Sequence, residues 1–328
     1  MTGSRRSVIT VTYNSGALIW RCLSALRPQL HAGDEVFLVD NASTDHSLNG
    51  IEEAFPGLRV IRNVDNRGYA AANNQALRLA QGDYVLLLNP DVVLAPGALA
   101  TATAYLDAHP DVGILGPKIL LPNGRLDPPA RRTFKTPATY FYKLTGLSWL
   151  FPRHHRFGRY YLSYLDDDLL TDVDAVVGAF MLIRRATMAR IGLLDERFFM
   201  YCEDEDWCWR AKQDDWRVVY HPAVIAHHYK GSSTRLRPFS MIYHWHRSIL
   251  LYHRKNIAPR YPAVVNTLVY GAMILSYLLT MSINGIRRLV PRTAIGHPPA
   301  ESPLTVSVFA GSDATATGTL QAEVYARR

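Results

Sequence analysis

Four consecutive carboxylates, Glu203-Asp204-Glu205-Asp206, stand between Phe198-Phe199-Met200-Tyr201 and Trp207-Cys208-Trp209. Neighbouring acids repel one another and raise each other's pKa, a cost best tolerated in the first turn of a helix, where the macrodipole favours anions. The pattern therefore predicts a helix from there to Gln213. In one reading the acids are a solvated, capping first turn. In the other, the aromatic flanks wall a site that excludes water.

Further polar groups occur where an α/β fold would need them. The apolar runs Val8–Thr12, Val36–Val39 and Tyr84–Leu88 are followed by Tyr13-Asn14-Ser15, by Asp40-Asn41-Ala42-Ser43-Thr44-Asp45 and by Asn89-Pro90-Asp91. Helical stretches over Ala17–Leu26, Tyr69–Ala80 and Pro96–Ala108 alternate with these runs and with a further one at Leu58–Ile61. Alternating strands and helices predict an α/β fold with a mainly parallel sheet, in which ligands bind beyond the carboxyl ends of the strands. Asp172–Ile183 reads as another strand, ending in Gly178-Ala179-Phe180. No GxGxxG or Walker loop follows any run, so dinucleotide dehydrogenases and P-loop enzymes lose their main support.

Composition narrows the class. Of the 328 residues 48% are hydrophobic, enough for a large core or two modest ones, which excludes wholesale disorder. The three cysteines, Cys22, Cys202 and Cys208, are too few for a disulfide framework and form no CxxC pair, as expected in a reducing compartment. The net charge is 36 − 28 = +8, but no Asp or Glu occurs from Trp216 to Ala300, a stretch holding 11 Lys or Arg. That stretch includes the uncharged segment Tyr261–Ile286, about the length that spans a bilayer, with basic residues on both sides. Anionic lipid or pyrophosphate is the expected partner rather than nucleic acid. The short polar N-terminus has no signal-peptide pattern, which predicts a main body on the cytoplasmic face of the cell membrane. Thr133–Tyr164, rich in aromatic and basic residues, reads equally as a membrane-interface patch or an aromatic subcore.

Together these motifs resemble the family-2 glycosyltransferases, within them the bacterial rhamnosyltransferase-like branch. The resemblance runs from about Ser7 to Tyr252. It rests on Thr10–Ser15, Val39–Asp45, Asn66–Gln75, Asn89-Pro90-Asp91, Gly178–Arg184, Asp195–Tyr201, Glu203-Asp204 and His227 in that order. It implies a GT-A fold, a Rossmann-like sheet with flanking helices that uses a nucleotide-sugar donor and a divalent metal, Mg²⁺ or Mn²⁺, and inverts the anomeric carbon. Carried over by position, Thr12, Tyr13, Asn14, Asp40, Asp45 and Arg67 line the nucleotide pocket. Gly68 lets backbone approach the donor, and Asn74 is either a donor-site or a helix-packing residue. Asn89-Pro90-Asp91 replaces the family's Asp-x-Asp, so Asp91 is the expected metal ligand and Asn89 a neutral donor contact. His227 is the further metal ligand, preferred over the adjacent His228.

Asp204 is by the same resemblance the general base. Its acidic neighbours and aromatic walls predict a carboxylate more basic than a free aspartate. Gly178, Ala179, Glu203 and Trp207 belong to the acceptor side, with Glu203 the fallback base. The implied organisation is a catalytic domain over 1–252 (nucleotide part about 1–115, acceptor part about 116–252), a basic and apolar membrane-associated segment over 253–292, and a loosely ordered tail over 293–328. The implied activity is transfer of a hexose, L-rhamnose from dTDP-L-rhamnose in the first instance, to a lipid-linked or polysaccharide acceptor of cell-surface glycan. Donors of the UDP-galactofuranose, UDP-galactose or UDP-N-acetylglucosamine kind remain open, as does a catalytically silent membrane-bound carbohydrate-binding protein.

Overall fold

The structure, a computed structural model, describes residues 4–230 and 238–289. The expected tail over 293–328 lies outside the described residues. The chain divides into two units, residues 1–285 and 286–328, and every contact of the site lies within the first.

Nine strands form one sheet: β1 (Arg6–Thr12), β2 (Glu35–Asp40), β3 (Leu58–Arg62), β4 (Tyr84–Leu88), β5 (Val92–Leu94), β6 (Val112–Leu120), β7 (Thr171–Asp172), β8 (Phe180–Arg184) and β9 (Arg217–His228). Their order is β3-β2-β1-β4-β8-β6-β9-β5, with β7 beside β9. The first four strands are mutually parallel, whereas β8 runs antiparallel to both β4 and β6. The sheet is thus parallel over β3-β2-β1-β4 and mixed beyond. Every residue of β1, β2 and β4 is buried, which explains why they read as continuous apolar runs instead of alternating ones.

The helices are α1 (Leu18–Leu26), α2 (Ile51–Ala54), α3 (Tyr69–Leu77), α4 (Ala98–Ala108), α5 (Pro137–Leu144), α6 (Leu147–Leu150), α7 (Arg185–Ile191), α8 (Glu203–Gln213), α9 (Pro238–Tyr252) and α10 (Ala263–Leu289). The main core fills the space between the sheet and its covering helices. A second apolar cluster joins Phe198, Cys202 and Trp209 to Ile249 and Tyr252 of α9 and to Val269 and Met273 of α10.

The expected strand Asp172–Ile183 is two short strands with an irregular stretch between them. There the backbone of Asp174 and Ala175 bonds to Arg132, not to a neighbouring strand. The aromatic region after Thr133 divides in the same way: Phe134 packs edge-on to Trp209, at 4.7 Å between centroids, whereas Phe141, Trp149, Leu150 and Phe151 are exposed. Ala263–Ile286 is long and apolar enough to cross a membrane by length and composition, with 11% of it buried.

Candidate active site

All four carboxylates at the start of α8 are buried, which removes the reading of a solvated capping turn. Burial of acids demands partners, and three of the four have cations. Arg132 donates to Oδ2 of Asp204 at 2.7 Å, Lys135 is paired with Glu205, and Arg210 and Lys255 both hold Asp206. Glu203 has none among the described residues, and its Oε2 is buried without a hydrogen-bond partner there.

These surroundings separate the two adjacent acids. For Asp204, burial is outweighed by Arg132 and by the Gly178 N–H, so its carboxyl stays below the usual aspartate range. Burial first, and then the charge on Asp204, raise the Glu203 carboxyl far above the usual range. The expectation of an unusually basic Asp204 is therefore corrected: the guanidinium of Arg132 reverses the sign, and the upward shift falls on Glu203. Asp204 accepts from Arg132, from the Gly178 N–H at 3.0 Å and from the Glu205 N–H at 2.7 Å. About one of a carboxylate's four lone-pair positions is then left.

Gly178 and Ala179 connect this carboxylate to the end of β4. Beyond its bond to Asp204, Gly178 accepts at its carbonyl from the Tyr69 hydroxyl at 2.8 Å, and the Ala179 carbonyl accepts from the Asn89 N–H at 2.9 Å. Both residues are buried, so they act as a backbone bridge between the two acidic motifs and present no open acceptor surface. Burial, and then the charges on Glu203, Asp204 and Asp91, raise the Tyr69 hydroxyl well above its ordinary value. The acids at 91, 203 and 204 are thus near enough for one phenol to feel all three.

Asp91 meets His228, not His227. The Asp91 Oδ1 and His228 Nε2 are 3.3 Å apart, and the other ring nitrogen of His228 lies 3.0 Å from Oδ2 of Asp127, which is fully buried and also paired with Lys230. One step along a strand turns a side chain to the opposite face, so His227 on the same strand cannot share that position. Burial opposes protonation of His228, but the Asp127 and Asp91 carboxylates outweigh it and raise the imidazole to about 9.

The residues present fit a divalent cation. They offer one carboxylate, one imidazole nitrogen whose partner nitrogen is fixed by a second carboxylate, and the Asn89 Oδ1, buried without a hydrogen-bond partner. Among the described residues no three His, Cys, Asp or Glu side chains form a complete cage, so such an ion would need oxygens from a bound diphosphate. Asp127→Asn is expected to weaken Mn²⁺ binding, titrated by electron paramagnetic resonance with nucleotide present, by about tenfold to a hundredfold.

The carboxyl ends of β1 and β2 carry the other expected residues. Asn14 sits in a left-handed turn at φ +50°. Its N–H donates to the Ser43 hydroxyl and its Oδ1 accepts from the Thr44 N–H. Asp45 accepts from the Gly16 and Ser47 N–H groups. Asp40 accepts from the Ser43 N–H through Oδ1, a turn-capping bond. Tyr13 is half-buried and Arg67 exposed at this edge. Thr12 is fully buried, its hydroxyl 2.5 Å from that of Ser15, so its side chain belongs to the turn and not to a ligand surface.

A model of the family described as "Glycosyl transferase family 2" matches residues 7–191. The chain belongs to this family. It is 30% identical over 256 residues, 75% of this chain and 82% of the relative, to an N-acetylglucosaminyl-diphospho-decaprenol L-rhamnosyltransferase of Mycobacterium tuberculosis. It is 26% identical to rhamnosyltransferase WbbL of Escherichia coli, over 68% of this chain and 84% of WbbL. Among solved structures, a mannosyltransferase of Pyrobaculum calidifontis in complex with GDP-Man and Mn²⁺ superposes with a TM-score of 0.55 at 18% identity, covering 88% of this chain and 82% of that one. The fold is GT-A and the protein is a glycosyltransferase of the rhamnosyltransferase-like branch.

Within this glycosyltransferase several expected contacts are reassigned. Trp207 is wholly buried in the main core and its indole N–H donates to the Gly192 carbonyl at 2.8 Å, so it faces no acceptor. Trp209 is likewise occupied, with Arg260 4.3 Å over its ring. Gly68 has φ +83°, and a Cβ there would stand 2.5 Å from the Phe199 carbonyl oxygen. The glycine thus admits the Phe199 backbone instead of a donor. Asn74 is a packing residue, bonded both ways to Leu194 and to Glu196. Arg132 and Asp127 were not singled out from the sequence. Each lies in a segment without periodicity, and no local signal marks a residue whose role comes from a partner 72 or 101 positions away.

Proposed function

We propose that this glycosyltransferase moves L-rhamnose from dTDP-L-rhamnose to a sugar carried on a polyprenyl diphosphate, with inversion, at the cytoplasmic face of the cell membrane. The observation that carries the reading is the meeting of two half-sites: Asp91 with His228 on one side, Glu203 with Asp204 on the other, joined through Gly178, Ala179 and Tyr69. The choice of donor and acceptor leans on the Mycobacterium tuberculosis and Escherichia coli relatives.

A pair of acids whose environments push their pKa values apart divides acid and base roles. Asp204, held ionised by Arg132, takes the proton of the acceptor hydroxyl as that oxygen attacks the anomeric carbon from the face opposite the diphosphate. Glu203, neutral in the working range, donates a hydrogen bond to an acceptor hydroxyl. Asp91, His228 and Asn89 would hold Mg²⁺ or Mn²⁺, which when bound supplies positive charge to the departing diphosphate. Asp127 orients His228, and Asp40, Asn14, Tyr13 and Arg67 bound the nucleotide. The acid-free basic stretch around α10 favours anionic lipid as the surface the protein rests on.

The test is incubation of the purified chain and Mn²⁺ with N-acetylglucosaminyl-diphospho-polyprenol and, in turn, dTDP-L-rhamnose, UDP-galactofuranose and UDP-N-acetylglucosamine. Product mass and anomeric configuration are then read. The expected product carries one rhamnose of configuration opposite to the donor's. Transfer from a UDP-sugar alone would reassign the donor, and binding without transfer from any donor would favour the silent carbohydrate-binding protein.

A further inference from the structure

Beside the acceptor half of the site lies a cavity of about 600 Å³ that the chemistry above does not use. Its walls are Tyr140 and Lys143 of α5, Met241 and Trp245 of α9, Ser276 of α10, and Tyr201 from the loop entering α8. The volume falls within the range of about 300–1,000 Å³ of ordinary ligand pockets, and the lining is mostly apolar and aromatic with a few polar groups.

We propose that this cavity seats the first isoprene units of the lipid-linked acceptor, with Lys143 against its diphosphate. The inference rests on the lipid-linked acceptor proposed above and names where its lipid goes.

Three observations on independent elements support it. Tyr201 and Cys202 are consecutive non-glycine residues in the left-handed region, at φ +71° and +66°, a conformation that side chains rarely adopt. That kink lets Tyr201 line the cavity while Glu203 and Asp204, next along the chain, enter the catalytic site. The loop is held there from α9, through the edge-on contact of Tyr201 with Trp245 at 5.1 Å and the bond from the Ser248 hydroxyl to the Met200 carbonyl at 2.8 Å. An acceptor whose sugar lies at Asp204 thus has its lipid end led to the cavity.

The second observation is charge. The walls from α9 and α10 contain no carboxylate at all. Lys143 is exposed, has no ion-pair partner among the described residues, and stands 5.5 Å over the Trp245 ring. An anionic head group fits that wall.

The third is continuity with apolar surface. The helix that contributes Ser276 also exposes Val264, Leu268, Leu275 and Leu278, so apolar surface for the rest of a hydrocarbon chain continues along the same helix. A bulk phospholipid would satisfy that surface but has no reason to pass Tyr201 and reach the catalytic carboxylates.

The experiment uses the full chain in detergent and a benzophenone-tagged geranylgeranyl diphosphate, with photo-adducts mapped by mass spectrometry. Adducts on the Met241 to Trp245 segment are expected, competed by equimolar undecaprenyl diphosphate and not by tenfold phosphatidylglycerol. Ser276→Trp, which narrows the cavity, is expected to cut their yield at least fivefold. Lys143→Glu, which reverses the charge on that wall, is expected to do the same. Adducts confined to the outward residues of α10, equal competition by phosphatidylglycerol, or an unchanged yield in both variants would overturn the proposal. Kinetically, Ser276→Trp should lower at least tenfold the ratio of kcat/KM for an undecaprenyl acceptor to that for N-acetylglucosaminyl diphosphate without a lipid. Absence of wild-type transfer to either acceptor would count against the proposed function, and the adduct map decides the cavity separately.

Discussion

Asp204→Asn is expected to lower kcat by about 10²- to 10⁴-fold, the range of a lost general base, while nucleotide-sugar affinity stays within a few-fold of wild type. A lower melting temperature should accompany it. The substitution leaves Arg132 buried with only Glu205, at 3.8 Å, as a carboxylate neighbour, and breaking a buried pair from one side costs about 3–5 kcal/mol. The double variant Asp204→Asn/Arg132→Met separates the two effects, because removing both charges returns much of the stability and none of the rate. Recovery of turnover in the double variant would mean that Asp204 acts only by holding Arg132. Glu203→Gln is expected to be milder and to act mainly on acceptor KM.

The pH profile follows from the same pair. The Glu203 carboxyl is raised by burial and by Asp204, so its neutral form persists into the working range and is lost as pH rises through the raised value. Turnover should then decline on the alkaline side, and the component due to this group should vanish in Glu203→Gln. Stability moves in the same direction. A folded-state pKa above the unfolded one gives a contribution that is whole below the ordinary glutamate value and is lost as pH rises through the folded value. A profile identical in wild type and Glu203→Gln would remove Glu203 from the acceptor contacts.

The parallel half of the sheet was legible because the fold confines ligands to the carboxyl ends of buried strands, and such strands announce themselves as apolar runs that end abruptly in Asn, Asp and Ser. The expected strand at Tyr84–Leu88 and the helix beginning at the four acids and ending at Gln213 coincide with β4 and α8. Legibility stopped where a side chain's meaning depends on which way it faces or on what arrives from far along the chain. His227 and His228 have the same composition and the same strand; only the parity of β9 against β5, with His228 opposite Val92, separates them. That parity is itself obscured by the bulge near Pro222, where β6 and β9 shift register between Pro117 and Lys118. The basicity expected for Asp204 failed for a related reason. Its acidic neighbours are visible in the sequence, but the guanidinium that outweighs them is not.

Asp91→Ala should have an effect comparable to or larger than that of Asp204→Asn, and of a different kind. Asp91 is the acid beside His228 and two residues from Asn89, whose Oδ1 is buried without a partner, and among the described residues no group of three acids, histidines or cysteines could hold a metal in its stead. A divalent ion opposite a departing diphosphate contributes several kcal/mol of charge stabilisation, so a loss of about 4 kcal/mol, or roughly a thousandfold in kcat/KM, is expected. The strengthening of nucleotide binding by Mn²⁺, measured by calorimetry with and without chelator, should disappear with it. His228→Ala should follow the same pattern more weakly, since the Asp91 carboxylate remains. His227→Ala should not follow it, because that side chain lies on the other face of β9. If His227→Ala abolished the Mn²⁺ effect and His228→Ala spared it, the pairing of Asp91 with His228 would be wrong, and with it the geometry that joins the diphosphate side of the cleft to Asp204.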